Sequence, residues 1–370
     1  MALNVVEEFI KLTTIDSPSK KEGALAKYLK QRLNELNAQV IEDDSALITG
    51  SDTGNLIAFY PGNMVTAPTI MLAAHMDSIA STEGLIPQIR DGIIYSDGEH
   101  VLAADDKAGI AVILALLSML SEDKSITHNP IEIVLTVQEE VGLIGVKNLN
   151  YKLKSEYGYV LDGDGPVGTV INAAPSQIGL DLIVEGKAAH AGLEPENGIN
   201  AIVVASKAIS SLPIGRIDEE TTSNIGVISG GTRTNVVPDK VEIKAEVRSR
   251  SMEKLENQTK KLIAKFEEVS KEQRSKFSYT KELAYESFAI DSSHIVVRSA
   301  LEAGKKLGID VTLKGTGGGL DANVFNSRGI SCVALGLGNE KPHSKDECIS
   351  IDELEKSVHF LLAIFKNARM

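Results

Sequence analysis

The stretch Leu102-Ala103-Ala104-Asp105-Asp106-Lys107-Ala108-Gly109 decides how the rest of the chain is read. Two adjacent carboxylates stand just before Ile110 to Leu120, an apolar run with no charge, glycine or proline. Such a run reads as a helix buried over most of its surface. Carboxylates are seldom fully buried unless they are paired or bound to a cation. A helix start offers unpaired N–H groups and the positive end of the helix dipole, so it suits a carboxylate. Either Asp105 or Asp106 therefore reads equally as an N-cap. The company these residues keep along the chain points to more.

Upstream, Thr69 to Ala74 reads as a buried strand that ends at His75-Met76-Asp77. Downstream, Ile131 to Val137 ends at Gln138-Glu139-Glu140, and Tyr157 to Leu161 ends at Asp162. Strands alternating with helices imply an α/β fold: a mixed, mostly parallel sheet with helices on both faces. In such sheets the chemistry gathers beyond the carboxyl ends of the strands. His75, Glu139, Glu140, Asp162 and the Asp105 turn would share that rim. Toward the N-terminus, Asn4–Leu12 and Ser19–Leu36 read as amphipathic helices, with strands at Gln39–Glu42 and Asn55–Tyr60.

After Pro175 the rhythm changes to β-α-β-β-α-β, a ferredoxin-like α+β pattern. Its strands are Ile178–Glu185, Ser223–Ser229, Lys240–Arg248 and Phe277–Ala284, and its helices are Gly198–Leu212 and Met252–Gln273. From about Phe288 the earlier alternation returns and runs to a final helix at Ile351–Lys366. The expected organisation is a discontinuous catalytic domain, residues 1–176 and 288–370, interrupted by a lid and dimerisation-like domain, residues 177–287.

Composition narrows the function. A chain of 370 residues exceeds one typical core. Its net charge of −13 disfavours nucleic acid and anionic membrane as partners. Cys332 and Cys348 form no disulfide framework, which fits a reducing cytoplasm. The N-terminus lacks a basic segment followed by an apolar one, so no signal peptide is read. The run at 110–120 is too short to span a bilayer.

Histidine and carboxylate ligands suit zinc or cobalt. Two such ions can share one carboxylate and lie about 3.5–4 Å apart. The set His75, Asp105, Glu140, Asp162 and His343 would suffice, with a sixth carboxylate left over as a general base.

At this point the chain resembles the two-zinc metallopeptidases that include tripeptidase T, glutamate carboxypeptidase and the amino-acid deacylases, and most of all the peptidase T-like branch. The resemblance rests on His75-Met76-Asp77, Ala104-Asp105-Asp106-Lys107-Ala108-Gly109, Glu139-Glu140-Val141-Gly142, Gly186-Lys187-Ala188-Ala189-His190-Ala191-Gly192 and Gly230-Gly231-Thr232-Arg233-Thr234-Asn235-Val236-Val237-Pro238. It implies that His75 and Asp162 hold one ion and Glu140 and His343 the other. Asp105 would bridge them, its bond to Asp106 being cis. Glu139 would be the general base acting on a water shared by the ions, and Asp77 would fix the ring of His75. His190, Asn235 and Arg248 would face the substrate, with Arg248 on a carboxylate.

The resemblance implies two divalent ions, zinc first and cobalt or manganese next, a short peptide substrate and a homodimer. The activity implied is an aminopeptidase, tripeptidase included. The alternative is a carboxypeptidase or N-acyl-amino-acid deacylase. A relative that binds without turnover is disfavoured, because every expected ligand and the base are present. The chain departs from tripeptidase T at Gln138, where an acidic residue is typical, and it is shorter. Both departures bear on strict tripeptide specificity rather than on two-metal chemistry.

Overall fold

The computed structural model describes residues 3–64 and 67–367. The chain forms two compact units. The first comprises Met1–Ala173, Ala289–Thr316 and Leu320–Met370, and the second Ala174–Phe288 with Gly317–Gly319.

The first unit is built on a mixed sheet. Its strands run in the order Gln39–Glu42, Leu56–Tyr60, Ile131–Thr136, Ile70–His75, Tyr157–Gly163, Ser331–Gly336 and Thr169–Ala174. The central four, from Ile131–Thr136 to Ser331–Gly336, are parallel to one another, so their carboxyl ends meet on one rim. Every residue of Ile70–His75 and of Ile131–Thr136 is buried, as expected for parallel strands covered by helices. The apolar helix Ala104–Glu122 packs on Ile70–His75 and Tyr157–Gly163, and helices Val5–Thr13 and Ile351–Asn367 pack against it in turn. Among the described residues no helix is long and apolar enough to cross a membrane.

A smaller antiparallel sheet in this unit joins Asn339–Glu340, Cys348–Ser350, Ile93–Tyr95 and Gln88–Arg90. The sequence reading did not anticipate these short strands, which are too brief to show a period. They matter because the hairpin from Asn339–Glu340 to Cys348–Ser350 carries His343 in its loop.

The second unit is an antiparallel sheet in the order Gly215–Arg216, Thr221–Gly230, Lys240–Ser249, Ser176–Glu185 and Lys276–Tyr285. Helices Ala201–Ser210 and Met252–Glu272 pack on it. The strict alternation in Lys240–Ser249 buries Val241, Ile243, Ala245 and Val247 together with Ile178, Leu180, Leu182 and Val184 of Ser176–Glu185.

One element departs from the sequence reading. The helix expected from Ser19 begins only at Gly23. The preceding residues are occupied elsewhere: Pro18 bridges Ser78, the Ser17 hydroxyl donates to the carbonyl of Met76, and the Glu22 carboxylate accepts the N–H of Lys20.

Gly109 fixes how closely the Asp105 turn approaches the sheet. A Cβ there would overlap the Asp106 carboxylate and the backbone oxygen of Leu161, one residue before Asp162. Gly109→Ala is therefore expected to destabilise the protein by about 1–3 kcal/mol, as overpacking does, measurable by denaturant unfolding.

Candidate metal centre

The two carboxylates of the opening stretch divide the work. Ala103 has left-handed backbone angles, with φ 56°. The Asp105–Asp106 peptide bond is cis, and the helical ladder proper starts after it. Asp106 is buried and is the cap: its Oδ1 accepts the N–H of Gly109 at 3.2 Å and its Oδ2 the N–H of His75 at 3.1 Å. That leaves the Asp105 carboxylate free to point away from the helix. Asp105 Oδ1 lies 3.0 Å from His75 Nε2, and its Oδ2 lies 3.2 Å from His343 Nε2.

Two groups of potential ligands result, and both include Asp105. In His75, Asp105 and Asp162, one atom from each residue lies within 4.8 Å of the others. The same holds for Asp105, Glu140 and His343. His343 Nε2 is also 3.0 Å from Glu140 Oε2, while Glu140 Oε1 is buried with no hydrogen-bond partner. An orphaned buried carboxylate oxygen is costly, and a cation would satisfy it. Nitrogen and carboxylate oxygen are the donor set for a borderline divalent ion.

The electrostatics fit the same reading. Burial and the neighbouring Asp105 push Asp162 well above the usual carboxylate range. Hydrogen bonds from His343 and His75 outweigh burial at Asp105 and hold it low. Burial opposes charge on His75, but Asp105 and Asp77 outweigh it and raise the imidazole well above its ordinary value. Hydrogen bonds to Asp105 and Glu140 raise His343 to about 10. Crowded carboxylates of this kind need compensating positive charge. Divalent charge at the same place would meet that need.

Asp77 is buried and acts mainly on the backbone. His75 Nδ1 is 2.9 Å from the backbone carbonyl of Asp77 and 3.5 Å from its carboxylate. Donation to that carbonyl would leave Nε2 as the free lone pair. The carboxylate itself accepts the N–H groups of Glu139 at 2.9 Å and Glu140 at 3.3 Å, and the Ser19 hydroxyl at 2.6 Å. Glu22 does the same for Gln138, accepting its N–H at 3.0 Å. Three successive amides, Gln138 to Glu140, are thus held by two buried carboxylates. Glu139 has its acidity lowered by burial first, then by Asp321, Asp105 and Glu140.

Two of these supporting residues escaped the sequence reading. Glu22 sits in what looked like helix surface. Glu347 follows His343 by four residues, and that proximity was the available signal. It is buried and accepts the N–H of Ala103 at 2.7 Å and of Asp105 at 3.0 Å. Burial raises it to about 7.

The remaining expected residues lie in the second unit. His190 is exposed, and its Nδ1 accepts the N–H groups of Gly192 and Leu193, each at 3.1 Å. This puts the proton of a neutral ring on Nε2, as an outward donor. Asn235 is exposed beside it: its carbonyl accepts the N–H of Ala191, and His190 bridges Val236. Arg248 spends one edge of its guanidinium on Glu246, with Nε at 2.9 Å and Nη2 at 3.1 Å.

Comparisons with known proteins identify the family. Residues 172–274 match the peptidase dimerisation domain of the M20 peptidases. Residues 94–176 match the M42 glutamyl aminopeptidases. The chain is 44% identical over 365 residues to YqjE of Bacillus subtilis, covering 98% of each. It superposes on an aminopeptidase PepT from Bacillus cereus with a TM-score of 0.90 at 41% identity, covering 99% of this chain and 98% of that one. A tripeptidase from Staphylococcus aureus gives 0.95 at 37% identity, with the same coverage. The chain belongs to the M20 metallopeptidase family, in its peptidase T-like branch. It is a metal-dependent peptidase with the mixed α/β architecture of that family.

Removing the clamp on the Glu139–Glu140 backbone should be felt at the centre. Asp77→Asn is expected to lower metal affinity or activity by about 10–100-fold, as loss of an outer partner of a metal ligand does. Steady-state kinetics and metal titration on the variant measure it.

Proposed function

We propose that this chain is a two-metal aminopeptidase that releases residues from short peptides with a free amino end, tripeptides among them. The observation that carries the reading is the single carboxylate of Asp105 standing between two ligand groups. His75 and Asp162 would hold one divalent ion, Glu140 and His343 the other, and Asp105 both. Zinc fits the mixed nitrogen and oxygen donors, and cobalt and manganese are the substitutes expected to support activity. The ions, when bound, would lower the pKa of a shared water and polarise the scissile carbonyl.

The chain's own residues would do the rest. Glu139 would take a proton at its carboxylate and deliver it to the departing amine. A base poised near neutrality suits that shuttle, and the raised pKa of Glu139 has that direction. His190, with its proton on Nε2, would donate to the carbonyl oxygen as charge develops there. Asn235 would lie beside it and orient the peptide. Arg248, which donates from Nε and Nη2 to Glu246, would still present its Nη1–Nη2 edge to a substrate carboxylate. The likeness to an aminopeptidase PepT and to a tripeptidase supports the aminopeptidase over the carboxypeptidase or deacylase.

The second unit, residues 174–288, would serve as lid and as the surface of a homodimer, consistent with the family match of residues 172–274. Cys332 and Cys348 are free and buried, which supports a cytoplasmic setting.

Di- and tripeptides with free or blocked amino ends, compared with N-acyl amino acids, test the reading. Hydrolysis confined to free amino ends is expected. Preference for N-acyl substrates would replace it with the deacylase. Exhaustive dialysis against a chelator should abolish activity and added zinc or cobalt should restore it. Glu139→Ala should lower kcat by at least about 10²-fold, the lower range for a general base, while two ions remain bound. A variant of near-normal rate would remove Glu139 from that role.

A further inference from the structure

We propose that Glu347 is the positioning residue that completes the second of the two ion sites by tying the His343 loop to the Asp105 turn. The proposal rests on the two-metal reading above. It assigns a task to a residue that is not itself among the grouped ligands.

The two ligand groups are supported very differently. His75 and Asp162 stand at the carboxyl ends of neighbouring strands of one sheet, Ile70–His75 and Tyr157–Gly163, which pair through a parallel ladder. Their backbones are fixed by the sheet. Glu140 is fixed by the amides that Asp77 accepts. His343 is held less directly, in the loop of the short hairpin from Asn339–Glu340 to Cys348–Ser350. It lies in the loop 341–347, its side chain is 50% exposed, and its backbone φ is 61°. The loop's own bonds are local: Ser344 Oγ donates to the carbonyl of Lys341, and Glu347 N–H donates to the carbonyl of Ser344.

Glu347 reaches out of that loop. Its Oε2 accepts the N–H of Ala103 at 2.7 Å and its Oε1 the N–H of Asp105 at 3.0 Å. One carboxylate thus grips both sides of Ala104, in the turn that presents the shared ligand. Being only 1% exposed, it meets little competition from water for those amides. Charge-assisted bonds of this kind are among the stronger ones in proteins. The distance between His343 Nε2 and Asp105 Oδ2, 3.2 Å, is therefore set in part by this side chain. Glutamine keeps the size of the side chain but presents one acceptor and one donor, so only one of the two amides can be satisfied.

The expected result is a split between the two ions. In the full-length protein, stepwise zinc or cobalt binding is measured by calorimetry and by cobalt absorption, for wild type, Glu347→Gln, Glu347→Asp and His343→Ala. Wild type should bind two ions. Glu347→Gln should weaken one step by at least about 10-fold, the lower range for an outer partner, and leave the other within about 2-fold. The weakened step should be the one that His343→Ala removes. Activity of Glu347→Gln should recover at excess metal with KM unchanged. Glu347→Asp, with its charge kept but its reach shortened, should fall between.

Equal weakening of both steps, together with a lower melting temperature of the metal-free protein, would overturn the proposal and make Glu347 a general fold residue. So would two unchanged steps. If Glu347→Gln does not fold, Glu347→Asp decides, and failure of both to fold also overturns it. A wild type that binds no ion would instead sink the two-metal reading itself.

Discussion

Crowded negative charge is the constraint on which the rest of this structure depends. Asp77, Asp105, Asp106, Glu139, Glu140, Asp162 and Glu347 lie close together around His75 and His343. Like charges at such spacing cannot all remain ionised in a dry interior. The protein has two ways to tolerate them. Divalent cations would neutralise the carboxylates that face the rim. Backbone N–H groups neutralise those behind them.

The second device organises the centre more than any side-chain pair does. Asp77 holds the amides of Glu139 and Glu140, Glu22 that of Gln138, Asp106 those of His75 and Gly109, and Glu347 those of Ala103 and Asp105. Each of these acidic residues works by fixing the main chain from which a rim residue projects. Preorganisation of that kind is what a metal centre needs, because a ligand displaced by even a fraction of an ångström changes the geometry offered to the ion. It also explains why the chain before Gly23 is not helical: Ser17, Ser19 and Glu22 are drawn toward Met76, Asp77 and Gln138.

Much of this was legible in the sequence, for definite reasons. Buried parallel strands read as continuous apolar runs, so Ile70–His75, Ile131–Thr136 and Tyr157–Gly163 were visible, and with them the residues at their ends. The alternation in Lys240–Ser249 marked a sheet with one covered face. What stayed hidden depended on contacts between distant segments. Asp105 and Asp106 look alike in a sequence, and only the reach of Asp106 to His75 separates cap from rim. The tasks of Glu22 and Glu347 were hidden because their partners are amides 116 and more than 240 residues away, although the closeness of Glu347 to His343 was a cue. The strands Cys348–Ser350 and Asn339–Glu340 are too short to carry a period at all.

The discontinuity of the first unit has a consequence for the order in which the molecule comes into being. The ribosome delivers His75, Asp105, Glu140 and Asp162 early, before the inserted unit at 174–288 is made. His343 and Glu347 emerge only after it. By the ligand reading above, the centre would stay incomplete until the segment beyond the inserted unit has been made, because Ser331–Gly336 pairs with the strand that carries Asp162 and His343 follows it.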